Sequence, residues 1–139
     1  MQPRVDFISL GVRSVAASRS FYVEGLGWPV HREFPEVIFI QANHGLILSL
    51  WDAGQMQAEA AVDAPTSVPC ITLSHNVASA AEVDEVMAQA ESAGAAVVAS
   101  PKTQPWGGYT GYFADPDGFR WEIAFNPTWR VDDGGQVTL

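Results

Sequence analysis

Basic residues are scarce in this chain: Lys and Arg number 7 against 16 Asp and Glu, for a formal net charge of -9. A surface of that sign repels phosphate backbones and anionic lipid, so nucleic-acid and membrane-surface binding are not expected. Cysteine is nearly absent. Cys70 stands alone, and no intramolecular disulfide can form. No apolar run approaches the length that spans a bilayer. The opening residues, MQPRVDFISLGV, lack the charged segment and long apolar core of a signal peptide. These absences together predict a soluble, cytoplasmic protein.

What is present is an ordinary globular balance, with 47% hydrophobic and 17% charged residues. The 139 residues suit one compact domain or two small modules. Periodicity favours the second option, because the chain is written twice. VDFISLGV reads as a strand, followed by a short helix in SVAASRSFYVEGLG that Ser14 can cap and Gly25 or Gly27 can end. WPVHREFP, EVIFIQA and GLILSLW read as three more strands, with Asn43, His44 and Gly45 turning the last pair.

After DAGQMQAEAAVDAPTSVP, taken as a linker in which Met56 to Ala61 could form a short helix, the order repeats. CITLSH is a strand, and Ser79 to Glu82 form a capping box. The helix it opens has Val83, Val86, Met87 and Ala90 as its apolar face, and Gly94 closes it. AAVVAS, GYTGYFAD and GFRWEIAF are strands, the last two joined by an Asp115-Pro116-Asp117-Gly118 turn. Laid over each other, the halves pair Phe7 with Cys70, Ser9 with Thr72, and Ser49 with Glu122.

Strand alternation then separates two faces. One is wholly apolar, including Leu10, Leu48, Leu73, Trp121 and Ile123, and should lie under the helices. The other is mixed, with Phe7, Ser9, Ser49, Trp51, Cys70, Thr72, Ser74, Arg120 and Glu122. A mixed, partly polar face suits a ligand cavity better than a dry core. Glu122 is a carboxylate inside an apolar strand, and its burial needs compensation. It can meet a ligand or act as acid or base, or it can pair with Arg120 or backbone donors. The sequence leaves both open.

With its β-α-β-β-β repeat, LGVRSVAASRSFYVEGLGW near the start and WGGYTGYFADPDGFRWEIAFNP near the end, the chain resembles the vicinal oxygen chelate superfamily over about residues 4 to 127. That superfamily includes glyoxalase I, bleomycin resistance proteins and extradiol dioxygenases. The resemblance implies an α+β fold, a tandem pair of β-α-β-β-β modules whose curved sheets enclose a shared cavity. It also implies a homodimer. The boundaries are residues 4–52 for module one, 53–68 for the linker, 69–127 for module two and 128–139 for a polar tail, expected to be mobile unless a partner orders it.

In metal-dependent members, four strand positions present His, Gln or Glu to one divalent ion. The resemblance places those positions at Phe7, Ser49, Cys70 and Glu122. Phe7 cannot coordinate, a neutral serine is a poor ligand, and one thiolate with one carboxylate does not close a zinc site. His31, His44 and His75 do not repair the set. No metal or other cofactor is therefore expected.

The residues expected to contact a ligand are Phe7, Ser9, Ser49, Trp51, Cys70, Thr72, Trp106 and Arg120, with Glu122 as the catalytic candidate. Against this stand plainer roles. The hydroxyls can satisfy backbone groups, Cys70 can be a small buried thiol with no base to activate it, and Trp106 can pack on its own module. Asp115 and Asp117 are explained by the turn alone. The leading expectation is metal-independent binding of a small, planar or amphipathic organic molecule. The alternative is a lyase or isomerase that uses Glu122 to move a proton on a small carbonyl substrate.

Overall fold

The computed structural model describes residues 5–60, 71–132 and 134–138. The chain divides into two compact units, Met1–Ser67 and Val68–Leu139. In the first, strand β1 (Phe7–Val12) leads to helix α1 (Val15–Arg19), strands β2 (Val30–Phe34), β3 (Val37–Asn43) and β4 (Leu46–Asp52), and helix α2 (Ala53–Ala60). In the second, β5 (Thr72–Asn76) leads to α3 (Ala80–Ser92), β6 (Ala96–Thr103), β7 (Tyr109–Ala114) and β8 (Arg120–Phe125). Each unit holds a four-stranded sheet, ordered β1-β4-β3-β2 and β5-β8-β7-β6. In each, the first strand runs parallel to the last and the other pairs are antiparallel. The fold is α+β, built from a β-α-β-β-β repeat. No helix among the described residues is long and apolar enough to cross a membrane.

The local signals act as their chemistry requires. Ser14 sits in an extended conformation and accepts from Ala17 N at 3.2 Å, opening α1. The helix then widens into a π-helical turn over Ser20–Gly25, with Leu26 N donating to Phe21 O at 2.9 Å. Adjacent Phe21 and Tyr22 are both buried there, edge to face at 4.9 Å. For α3, Ser79 Oγ accepts from Glu82 N at 3.2 Å, and the Glu82 carboxylate accepts from Ala78 N at 3.1 Å. Val83, Met87 and Ala90 are buried against the second sheet, a contribution of about 1.5–3 kcal/mol for each of the two larger side chains. The helix comes so near β7 that a Cβ on Gly111 would lie 3.2 Å from Met87 Sδ.

The 115–118 turn places Gly118 at φ 93°. Asp115, buried, accepts through Oδ1 from Asp117 N at 3.0 Å and Phe119 N at 2.8 Å.

Three details differ from the sequence reading. The linker's first part is helical from its first residue, because Asp52 Oδ1 accepts from Gln55 N at 3.0 Å and starts α2 directly off β4. That helix packs on β1, with Met56 Sδ 3.2 Å from where a Cβ on Gly11 would stand. The tail residues form a hairpin, β9 (Arg130–Val131) against β10 (Val137–Thr138). Asp132 Oδ1 tightens it by accepting from Gly134 N and Gln136 N, both at 2.9 Å.

The third difference concerns the repeat itself. Ser9 lies beside Ser49, and Ser74 beside Glu122; Phe7 lies beside Ile47, and Thr72 beside Arg120. With Ser49 matched to Glu122, the counterpart of Ser9 is Ser74 and that of Phe7 is Thr72. This is two residues beyond the pairing with Thr72 and Cys70 read from the sequence. A slip of two leaves every side chain on its face, so alternation cannot detect it.

Candidate functional site

Glu122 lies on the face of β8 away from α3. Its neighbours Trp121 and Ile123 are buried on the opposite face, Trp121 stacked on Phe113 with ring centroids 6.2 Å apart. Strand pairing brings Tyr112 opposite Glu122 from β7 and Ser74 beside it from β5. The Tyr112 hydroxyl donates to Glu122 Oε1, and Ser74 Oγ donates to Oε2 at 2.9 Å. Both carboxylate oxygens thus accept from hydroxyl groups, a charge-assisted arrangement stronger than a neutral hydrogen bond.

Behind Tyr112 the chain of contacts continues. Gln104 Nε2 donates to Thr110 Oγ1 at 2.7 Å, and Thr110 is fully buried. The Tyr112 phenol is held above its ordinary pKa, first by its hydrogen bond to Glu122 and then by desolvation and the carboxylate's charge; a hydrogen bond with Thr110 opposes the shift.

These groups line a cleft of 290 Å³ in the second unit. Tyr112, Glu122 and Thr110 contribute hydroxyls and a carboxylate, Lys102 a cation, and Trp106 an aromatic wall. Trp106 stands on a tight turn in which Gln104 N donates to Gly108 O at 2.8 Å and Gly107 N to Gln104 O at 2.9 Å. Gly107 takes φ 95°, which favours glycine. The indole lies against Gly108, where a Cβ would come within 1.8 Å of the ring. Glycine at 108 therefore sets the position of Trp106, which keeps 56% of its surface exposed.

The other sequence-derived candidates divide between the units. Thr72 and Arg120 share the Glu122 face. Arg120 does not serve as the carboxylate's partner: its Nη1 donates to Gly118 O at 2.8 Å, and the hydroxyls of Tyr112 and Ser74 take its place. Phe7, Ser9, Ser49 and Trp51 lie on one face of the first sheet. Ser49 is buried and donates to Ser9 Oγ at 2.7 Å. Trp51 is half-buried beside Gly11, and Phe7 is 54% exposed. Cys70 lies outside the described residues. The sequence reading did not single out Tyr112, Thr110, Gln104 or, as a partner of Glu122, Ser74. One signal for Ser74 was available: its spacing to the N-cap Ser79 equals that of Ser9 to the N-cap Ser14.

Of the four positions that the resemblance assigns to a metal, Cys70 lies outside the described residues and the other three offer a poor donor set. Phe7 has no donor atom, Ser49 is engaged with Ser9, and both Glu122 oxygens already accept from hydroxyls. Among the described residues there is no group of three or more His, Cys, Asp or Glu able to hold an ion.

Residues 4–123 match the family model of the Glyoxalase/Bleomycin resistance protein/Dioxygenase superfamily. The chain belongs to that superfamily. A glyoxalase-related enzyme from Fulvimarina pelagi is 39% identical, with a TM-score of 0.92, over 99% of this chain and 98% of that one. A superfamily protein from Nocardioides is 25% identical with a TM-score of 0.75, over 90% of this chain and 84% of that one. A lactoylglutathione lyase from Agrobacterium tumefaciens shares the superfamily fold at 21% identity and a TM-score of 0.67, over 89% and 94% of the two chains. No curated protein matches the chain.

Proposed function

We propose that this superfamily member binds a small, planar or amphipathic organic molecule without a metal, in the cleft bounded by Trp106, Tyr112 and Glu122. The observation that carries the reading is the state of the Glu122 carboxylate. It borders the cleft, yet its oxygens are engaged by Tyr112 and Ser74 rather than set among other metal-ligating groups. Trp106 offers a stacking surface, while Lys102 and the Tyr112–Glu122 pair offer polar anchors of opposite sign. The reading includes a cytoplasmic homodimer, and sedimentation velocity tests the pairing.

Incubation with Mg²⁺, Mn²⁺, Ni²⁺ and Zn²⁺, followed by mass-spectrometric metal analysis, tests the metal-free reading. Substoichiometric metal in wild type is expected. Tight stoichiometric metal that disappears in Glu122→Ala overturns it.

A second reading is favoured by the Tyr112–Glu122 hydrogen bond, which holds a proton between two groups at the cleft. In it the protein is a lyase or isomerase, Glu122 accepting a proton from carbon next to a carbonyl in a bound substrate. Turnover of a hydroxy-ketone or hydroxythiol panel, lost in folded Glu122→Gln, supports this reading. Turnover unchanged by that substitution removes Glu122 from the chemistry.

A further inference from the structure

Lys102 is the only lysine in the chain, and it lines the cleft that holds Glu122. A β-bulge puts it there. Ala99 stands opposite Tyr112 and Lys102 opposite Thr110, so three steps along β6 match two along β7. Regular alternation from Ala99 would give the cleft face to Pro101 and turn Lys102 towards α3. The extra residue exchanges them. Pro101 goes to the α3 side, its Cγ 3.0 Å from where a Cβ on Gly111 would stand, and Met87 lies against the same point. Lys102 takes the side of Thr110. β6 is the edge strand of its sheet, a place that tolerates both a bulge and a proline.

The two charges of the cleft are not equally compensated. Glu122 already accepts from the Tyr112 and Ser74 hydroxyls. Lys102 forms no ion pair among the described residues, although the chain carries a net charge of -9. The unanswered charge at this site is therefore positive. An ammonium beside the Trp106 indole suits a ligand with a flat apolar body and an anionic group. The field of an acidic chain opposes such a ligand at long range. At physiological salt that field is screened beyond about 8 Å, whereas direct contact with Lys102 is screened much less.

We propose that Lys102 is a specificity-determining residue, selecting planar ligands that carry a carboxylate over neutral or cationic ones of the same shape. The proposal rests on the reading of this cleft as a ligand site. Benzoate, benzamide and benzamidinium share one shape and differ in charge. Each is titrated into the ¹⁵N-labelled full chain, with shifts followed at the amides of Lys102, Trp106, Tyr112 and Glu122. In wild type benzoate should bind tightest, by about fivefold over benzamide. Lys102→Met, which keeps an apolar stem, should remove that preference and leave benzamide unchanged. Lys102→Arg should retain it, and Lys102→Glu should reverse the order in favour of benzamidinium. Lys102 is exposed, and unchanged benzamide binding checks that the variants keep their fold. Equal binding of the three probes, tighter benzamidinium in wild type, or a benzoate preference that survives Lys102→Met would each overturn the proposal and leave the cleft a ligand site. Binding of none of the three at these amides would overturn the proposal together with the reading of the cleft.

Discussion

Tyr112 and Glu122 face each other across the antiparallel pair β7–β8, and the phenol donates a hydrogen bond to the carboxylate. The contact joins a residue that the sequence marks as out of place to one that it does not mark at all. It also ties a group titrating in alkali to the floor of the cleft.

The Tyr112 phenol is held above its ordinary value of 10.0, chiefly by the hydrogen bond to Glu122. Its neutral form is therefore favoured by folding. The stability this contributes is fully present below pH 10 and is lost as pH rises through the folded-state value. Ultraviolet titration of the phenolate band should show late-titrating tyrosine, to which Tyr109, hydrogen-bonded to Asp84, also contributes; Tyr112→Phe should remove one part of it, and Glu122→Gln should shift that part down towards 10. A titration unaltered by Glu122→Gln would contradict the assigned cause.

Gly108→Ala should displace the Trp106 indole, since the added Cβ would overlap the ring at 1.8 Å. The expected readout is a change in tryptophan emission and weakened ligand binding in the cleft. Overall stability should fall by only about 1 kcal/mol, the loss being confined to a surface turn. Unchanged emission would mean that the ring is not seated on residue 108.

Ser49 and Ser9 form a hydroxyl pair with Ser49 buried. Ser49→Ala leaves the Ser9 hydroxyl without this partner and should cost about 1–2 kcal/mol in urea denaturation. Combining it with Ser9→Ala should cost less than the sum of the two single changes, because the second removes the group left unpaired. Strict additivity would show that the two hydroxyls are not coupled.

Asp115→Ala should be the most damaging change in the 115–118 turn. It removes one carboxylate oxygen that accepts from two backbone amides, and the expected loss is about 2–3 kcal/mol. A loss below about 0.5 kcal/mol in urea denaturation would show that the turn is held by other contacts.

Much of this was legible in the chain. Alternation, capping serines and glycine punctuation define the repeated β-α-β-β-β order, and Ser14, Ser79 and Asp115 play the structural parts that their types and positions imply. These are local effects, set within a few residues by hydrogen-bonding geometry and backbone sterics. Alternation also assigned Glu122 to the correct face. It could not fix the register of β5 on β8, because a two-residue slip preserves the face.

Pairing decided which residue stands next to Glu122, and that choice turned the carboxylate from Arg120 to Tyr112 and Ser74. In the same way it set Lys102 opposite Thr110 on the face of the cleft. The sequence by itself determined which faces exist and what chemistry each can offer. Only the tertiary structure decided which groups meet, because hydrogen bonds and ring contacts act over a few ångströms between residues far apart along the chain.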